Sequence, residues 1–174
     1  MNTKKKILIF GLLIAAVITA LIFFGKDDRP ISNISLKNNK ILNRSTIIGA
    51  DMIVAAGLNE LKIDSIHVLI THMPNKTKGD LQYQAYIVPI VSRVYNIRIK
   101  SLSRNTAIEV LAHELIHLKQ MHTNILFSNK DTIYWGIMMY DVNNLPDYFD
   151  RPWEIQAFEE QIELSKGIKN LIYK

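Results

Sequence analysis

The stretch that decides the fold runs from residue 106 to residue 121 and reads TAIEVLAHELIHLKQM. It opens with Thr106 and Glu109 in a capping-box pattern, in which the hydroxyl and the carboxylate satisfy free backbone N–H groups at a helix start. Apolar residues then recur at helical spacing and form one stripe, which consists of Ile108, Leu111, Leu115 and Leu118. We therefore predict an amphipathic helix from Thr106 to about Met121 that buries its apolar face in a core.

The side of this helix opposite the stripe carries the pattern H-E-x-x-H, from His113 to His117. At 3.6 residues per turn, the two histidines differ by about 40° around the axis and about 6 Å along it, so both imidazoles can reach one ion. Glu114 is rotated by about 100° from His113, which keeps it out of the ligand set but near a water on that ion. Zinc lowers the pKa of such a water to about 7, and a carboxylate beside it can take the proton. The pattern thus predicts one zinc ion bound by His113 and His117, with Glu114 as general base.

A catalytic zinc site usually has three protein ligands, so one further ligand is expected. We predict Glu154, which shares a helix face with Ala157; this small residue would let the second helix approach the histidine helix closely. Glu154 could instead serve only the dipole of its own helix. Three other acidic residues remain open as third ligands: Glu159, Glu160 and Asp150. His122 is disfavoured, because it lies about 180° around the helix from His113.

The other elements follow from periodicity and turn residues. We predict a helix between Ser45 and Leu61 and a last helix from about Pro152 to Ile172. Strands are predicted at Ile66 to Met73, Leu81 to Ile90 and Val94 to Ile99, with a further strand or hairpin between Thr132 and Tyr140. Pro89 indicates that the second of these strands ends or lies at a sheet edge.

The N-terminus has the pattern of a signal sequence or signal anchor. Lys4, Lys5 and Lys6 precede an uncharged run from Ile7 to Phe24, which is just long enough to span a bilayer. This length favours an uncleaved anchor, with the lysines in the cytoplasm and the remainder exported to the periplasmic or extracellular side. If the segment were cleaved, the protein would be secreted. We therefore divide the chain into an anchor or signal (1–25), a polar tether (26–44) and one domain (45–174).

Composition narrows the chemistry further. The chain has no cysteine, so His, Asp and Glu are its strong candidate metal ligands. Three of the charges in its net charge of +5 belong to Lys4, Lys5 and Lys6, which leaves little basic character for the domain. Nucleic-acid binding is therefore not expected.

The two motif stretches resemble the gluzincin branch of the zincin metallopeptidases, in particular its small members. The likeness is carried by residues 113–120, HELIHLKQ, and by residues 152–157, PWEIQA. It implies zinc bound by His113, His117 and Glu154, and an α+β, zincin-like fold with an N-terminal helix, a small mixed sheet, the active helix and a C-terminal ligand helix. It also implies that an edge strand near Tyr95 to Lys100 lines the cleft and pairs with an extended peptide, which would place Tyr95 and Ile97 at the substrate.

An oxyanion needs a hydrogen-bond donor as well as zinc, and tyrosine commonly serves. Tyr148 and Tyr140 lie between the two ligand-bearing helices in sequence, and we predict Tyr148 as the catalytic donor. Packing of either ring against neighbouring side chains is the alternative role.

These features together predict a membrane-anchored zinc metallopeptidase that cleaves polypeptide. A catalytically silent zincin-fold module that binds a partner at the cell envelope is the alternative, and hydrolysis of another amide or ester is a third possibility. An intact Glu114 favours the enzyme, since a pure binding module does not need a carboxylate beside a metal-bound water.

Overall fold

A computed structural model describes residues 33–36, 38–73 and 83–173, the first four by their backbone alone. Within these residues the architecture is α+β, with three helices, a five-stranded sheet and a three-stranded sheet. The helices are α1 (Ala50–Glu60), α2 (Arg104–His122) and α3 (Pro152–Ile172). The strands are β1 (Asn33–Leu36), β2 (Asn39–Arg44), β3 (His67–His72), β4 (Ala85–Val91), β5 (Val94–Ile99), β6 (Leu126–Asn129), β7 (Thr132–Trp135) and β8 (Met138–Asp141).

The larger sheet is mixed and has the strand order β1-β2-β3-β5-β4. Its central pairs, β2 with β3 and β3 with β5, are parallel, whereas β1 and β4 are antiparallel to their neighbours. In β5, the alternation of apolar and polar residues matches burial, because Tyr95, Ile97 and Ile99 are buried. This face of the sheet supplies one layer of the core, and the three helices, which pack on one another, supply the other.

Helix α2 begins one turn before the predicted capping box. Ser103 is its N-cap, and the Ser103 hydroxyl accepts a hydrogen bond of 3.3 Å from the backbone N–H of Thr106. The prediction that Thr106 caps this helix is therefore wrong. A serine and a threonine three residues apart both satisfy the local requirement for a cap, and the backbone uses the earlier one.

Strands β1 and β2 lie within the segment 26–44, which the sequence predicts as a polar tether, so that interpretation is wrong for residues 33–36 and 39–44. Asn39 is buried, and its side-chain amide donates to the Ile63 carbonyl and accepts from the Ile66 N–H. Ile41 joins the core. The polar side chain of Asn39 thus holds β2 in place by hydrogen bonds to the backbone instead of remaining in solvent.

The prediction that β5 is the edge strand is also wrong. β5 pairs with β3 on one side and with β4 on the other, so β4 occupies the edge. Ile97 is fully buried, which contradicts its predicted contact with a substrate, whereas Tyr95, which is 5% exposed, lines a cavity of about 730 Å³. The indication from Pro89 is confirmed, because this residue lies in the edge strand next to an irregular register.

The C-terminal part agrees with the sequence more closely. β7 and β8 form the hairpin predicted between Thr132 and Tyr140, and β6 extends it to a three-stranded antiparallel sheet that the sequence does not predict. α3 covers the predicted residues, with Pro152 in its first turn. No helix of the described ranges is both long and apolar enough to cross a membrane, and the predicted anchor at residues 1–25 lies outside those ranges.

Candidate metal centre

Three buried side chains converge between α2 and α3. The Nε2 atoms of His113 and His117 lie 3.1 Å apart, and each lies 3.3 Å from Oε2 of Glu154. Each of the three residues is less than 10% exposed. Within residues 38–73 and 83–173, no other group of three or more His, Asp and Glu side chains lies close enough together to hold a metal ion.

Helix packing explains how residues so distant in sequence meet. His113 and His117 lie one turn apart on α2, and Glu154 lies in the first turn of α3, where a carboxylate also favours the helix dipole. Ala157, one turn after Glu154, is fully buried, as expected for a small residue that permits a close helix approach. The fold therefore presents all three ligand atoms from rigid helices.

Gln120 fixes the orientation of His117. Its side-chain nitrogen donates to the backbone carbonyl of Trp153 at 2.9 Å, and since a carbonyl can only accept, the amide cannot be reversed. Oε1 of Gln120 therefore faces Nδ1 of His117 at 2.8 Å, so Nδ1 carries the hydrogen and donates it. In the neutral imidazole, the lone pair of Nε2 is thus left pointing at the other two ligands.

His113 has the same kind of partner. Its Nδ1 lies 3.0 Å from Oε1 of Gln161 on α3, an oxygen that only accepts. Three lone pairs, from two Nε2 atoms and one carboxylate oxygen, consequently meet in a buried space. Such an arrangement needs a shared cation, which is either a metal ion or a proton on one imidazole.

The distances between the ligand atoms fit a metal ion. Bonds of about 2.0–2.2 Å at tetrahedral angles place neighbouring ligand atoms about 3.4 Å apart, and the three separations are 3.1, 3.3 and 3.3 Å. Two imidazoles and a carboxylate form a ligand set known for catalytic zinc. The residues present therefore fit one divalent cation with an open fourth position.

The ionised form of Glu154 and the protonated form of His117 stabilise each other. Burial alone would raise the pKa of Glu154, but the two imidazoles, each of which can donate to this carboxylate once its Nε2 is protonated, outweigh burial and lower the pKa to about 2. Burial opposes protonation of His117, yet the hydrogen bond and charge of Glu154 prevail and raise its pKa. The centre thus holds an ionised carboxylate that attracts positive charge.

Glu114 lies beside this group and is 6% exposed. Its burial raises its pKa, and the neighbouring histidines only partly oppose this effect. The backbone N–H of Ile87, in edge strand β4, donates a hydrogen bond to the Glu114 carboxylate. A carboxylate with a raised pKa beside a candidate metal site is suited to accept and return a proton.

Tyr148 approaches the same site from the short 3-10 turn Tyr148–Asp150. Its hydroxyl donates a hydrogen bond to Glu154, and burial together with this bond raises the pKa of the phenol. Tyr148 lines a cavity of about 620 Å³ together with His113, Glu114 and Phe158. Tyr140 instead packs edge-on against Trp153 at 5.4 Å between ring centroids, so Tyr148 is the tyrosine that reaches the centre.

The other acidic residues considered from sequence have different surroundings. Glu160 forms an ion pair with Lys119 at 2.8 Å, whereas Glu159 and Asp150 are exposed. Glu160 also accepts a hydrogen bond from Gln156, which in turn accepts one from Gln120. A chain of contacts therefore runs from Lys119 through these polar side chains to His117.

Sequence reasoning did not assign roles to Gln120 and Gln161. Gln120 follows His117 by three residues, a spacing that brings side chains together on a helix, so this contact could have been found. Gln161 contacts His113 across two helices, 48 positions away, and no local signal marks that pairing.

The fold and the site define an α+β protein with a buried His-His-Glu group that could bind a metal ion. Comparison of the chain with protein-family models, with curated proteins and with solved structures found no match.

Proposed function

We propose that this chain is a zinc metallopeptidase with a zincin-like fold of the gluzincin type. The observation that carries the proposal is the convergence of His113, His117 and Glu154 on one point. The buried carboxylate of Glu114 lies next to this point and belongs to α2, the helix that carries both histidines. A structural ion pair would not need a fourth ionisable side chain at this point, whereas hydrolysis needs a base there.

Each residue has a distinct task in the proposed reaction. His113, His117 and Glu154 would hold zinc, which when bound supplies Lewis acidity that lowers the pKa of water to about 7 and polarises a carbonyl. Glu114 takes the proton of the attacking water at its carboxylate and returns it to the leaving amine. Tyr148, whose hydroxyl already lies at Glu154, donates a hydrogen bond to the developing oxyanion.

We propose that the substrate is an extended polypeptide bound along β4. Among the described strands, β4 has a partner on one side only, and its Ile87 N–H contacts Glu114, so a peptide along the other side would pass the proposed base. The location that we propose is the exported side of a membrane, to which the N-terminal segment would tether the domain.

Metal analysis of the purified full-length chain in detergent tests the first step. We expect one zinc per chain, and Glu154→Ala is expected to reduce zinc affinity more than about 100-fold, beyond the usual effect of removing an outer-shell partner. Glu159→Ala, on the exposed side of the same helix, is the matched control and should keep its zinc. Full zinc occupancy in Glu154→Ala would reassign the third ligand.

Cleavage of a generic peptide mixture tests the second step. Glu114→Gln should retain zinc but lose activity, by roughly 10²-fold or more if Glu114 is the general base. Equal cleavage by both proteins would remove Glu114 from that role. Absence of cleavage by the native, zinc-loaded chain would favour the alternative, a catalytically silent binding module.

A further inference from the structure

The small sheet β6-β7-β8 has one charged end and one apolar end. At the charged end, the turn between β6 and β7 contains Lys130 and Asp131. At the apolar end, the turn between β7 and β8 contains Gly136 and Ile137, and the Gly136 N–H donates to the carbonyl of Ile125 at 2.8 Å. This bond brings the residue before β6 next to the hairpin tip, so apolar residues from two chain segments share one end of the sheet.

The side chains at this end are exposed. Ile137 is 100% exposed and Met139 is 70% exposed, and three neighbours are between 40% and 48% exposed: Ile125, Phe127 and Met138. Phe127 stacks on Tyr134 at 4.5 Å between ring centroids, and Tyr134 pairs with Met139, so this row continues across all three strands. The five exposed residues together with the half-buried Tyr134 form what we call the apolar tip: Ile125, Phe127, Tyr134, Ile137, Met138 and Met139. Contiguous exposed apolar surface of this kind marks an interaction site.

Local structure does not account for Ile137. A two-residue hairpin turn favours Gly, Asn or Asp for conformational reasons, and Gly136, with φ of 57°, already meets the demand for a positive φ. Ile137 adds an apolar side chain that contacts solvent alone. Packing against the rest of the protein does not account for the row formed by Phe127, Tyr134 and Met139 either. The sheet contacts the protein body with its opposite face, where Tyr140 packs against Trp153 of α3.

We infer that the apolar tip inserts into the interfacial region of a lipid bilayer. The apolar run of the predicted anchor ends at Phe24 and β1 begins at Asn33, so eight residues, 25–32, lie between them. Even fully extended, they span at most about 29 Å, and the described domain is therefore held close to the bilayer surface. Tyr134, on the exposed face, is a residue type that favours the boundary between acyl chains and water. Trp135 lies on the opposite face, but it directly precedes the Gly136–Ile137 turn and is therefore at the same end of the sheet. The charged turn at Lys130 and Asp131 would then face away from the membrane.

The inference rests on the predicted anchor and is independent of the metal chemistry. Trp135 and Trp153 are the two tryptophans of the chain, and Trp153 is 5% exposed, so Trp135 is a natural depth probe. The full-length chain with Trp153→Phe is reconstituted into phosphatidylcholine and phosphatidylglycerol vesicles that contain lipids brominated on the upper acyl chain. We expect the emission of Trp135 to fall at least about twofold relative to vesicles without bromine.

Paired variants distinguish insertion from mere proximity. Ile137→Asp with Met139→Asp should abolish the quenching without unfolding the protein, because both side chains are exposed. Lys130→Ser, at the charged end, is the matched control and should leave the quenching unchanged. If Trp153→Phe proves unstable, the same difference is measured between the native chain and Trp135→Phe.

Each other result has a defined meaning. Co-flotation with vesicles without quenching of Trp135 would overturn the docking and leave the anchor intact. Failure of the chain to float with vesicles would overturn both. Quenching that survives the double substitution would place another surface at the bilayer, and cross-linking between tips of two copies without quenching would assign the tip to self-association.

Discussion

At the scale of single residues, Gln120 links the candidate metal centre to the rest of the protein. It is 2% exposed, accepts a hydrogen bond from His117, and donates to the Trp153 carbonyl and to Gln156. Because the amide is neutral, it orients the imidazole without adding the negative charge that a carboxylate partner would supply. The basicity of His117 toward a metal is therefore lower than with an acidic partner.

We expect Gln120→Leu to weaken zinc binding about 10- to 100-fold, the usual effect of removing the partner that orients a ligating histidine. Gln120→Glu, which keeps an acceptor for His117 Nδ1, should retain most of the affinity despite losing the bond to Trp153. Competition with a chromophoric chelator measures both. Equal affinities for the native chain and Gln120→Leu would show that His117 is oriented by other contacts.

Zinc binding should also depend on pH through His117. Glu154 raises the pKa of this imidazole above the ordinary value of 6.5, whereas Glu154 itself, with a pKa of about 2, stays ionised throughout the neutral range. Below the raised pKa of His117, zinc must displace a proton, so affinity should fall about tenfold per pH unit. Above that pKa, His117 is neutral and affinity should level off.

We therefore expect the fall to begin above pH 6.5 as the solution is acidified. Chelator competition at a series of pH values, corrected for the protonation of the chelator itself, checks this. A fall that begins only well below pH 6.5 would mean that the carboxylate of Glu154 does not stabilise the protonated imidazole.

At the scale of elements, the three helices meet closely at Gly57 of α1. A Cβ atom at this position would overlap Cδ1 of Leu115 on α2 and lie 3.2 Å from Cδ1 of Ile168 on α3. Both neighbours are fully buried, so neither can move into solvent. The glycine therefore sets the distance at which α1 packs on α2 and α3, the helices that carry the candidate metal ligands.

Two glycine-to-alanine substitutions should have opposite effects on stability. In Gly57→Ala, overpacking of about 1–3 kcal/mol exceeds the gain in helix propensity, so the melting temperature should fall by several degrees. In Gly167→Ala, on α3, the new Cβ meets only the side chain of Glu60, 2.9 Å away at Oε2, and this exposed side chain can move aside. That variant should gain about 0.5–1 kcal/mol.

Thermal unfolding followed by circular dichroism compares the two variants. Each glycine lies within a helix, so the gain in helix propensity on substitution by alanine is the same for both variants. The difference between their melting temperatures therefore reports the difference in packing. Similar melting temperatures for the two variants would contradict the close packing at Gly57.

At the scale of the whole molecule, the candidate metal centre joins α2 and α3, which are separated in sequence by the small sheet. A metal bound only to the folded state stabilises it by about 2.7 kcal/mol at a free concentration 100 times its Kd. Chelation should therefore lower the melting temperature by roughly 5–10 °C for a protein of this length. Glu114→Gln, which leaves the three ligands in place, should show the same loss on chelation.

The melting temperature with and without chelator reports metal binding alone, because it does not depend on catalytic activity. A melting temperature that does not respond to chelator or to added zinc would argue against metal binding by the native chain. Stabilisation of Glu154→Ala by zinc equal to that of the native chain would argue for a different ligand.

Much of the local structure is predictable because it depends on near neighbours. The apolar repeat from Ile108 to Leu118 identified α2, and Pro152 marked the start of α3. The choice between Ser103 and Thr106 as a cap was not predictable, since both offer a hydroxyl at a suitable spacing. The polar segment 26–44 suggested a tether for the same reason, because a polar residue such as Asn39 can equally be solvated or hydrogen-bonded within a fold.

By itself, the sequence determined that His113 and His117 lie one helical turn apart with Glu114 beside them, since helix geometry fixes that relation over four residues. Only the tertiary structure decided that Glu154 completes the group, that β4 instead of β5 forms the sheet edge, and that Gln161 orients His113. Such relations join residues far apart along the chain. They depend on which buried faces and hydrogen-bonding edges find partners when the whole molecule packs, and no local pattern carries that information.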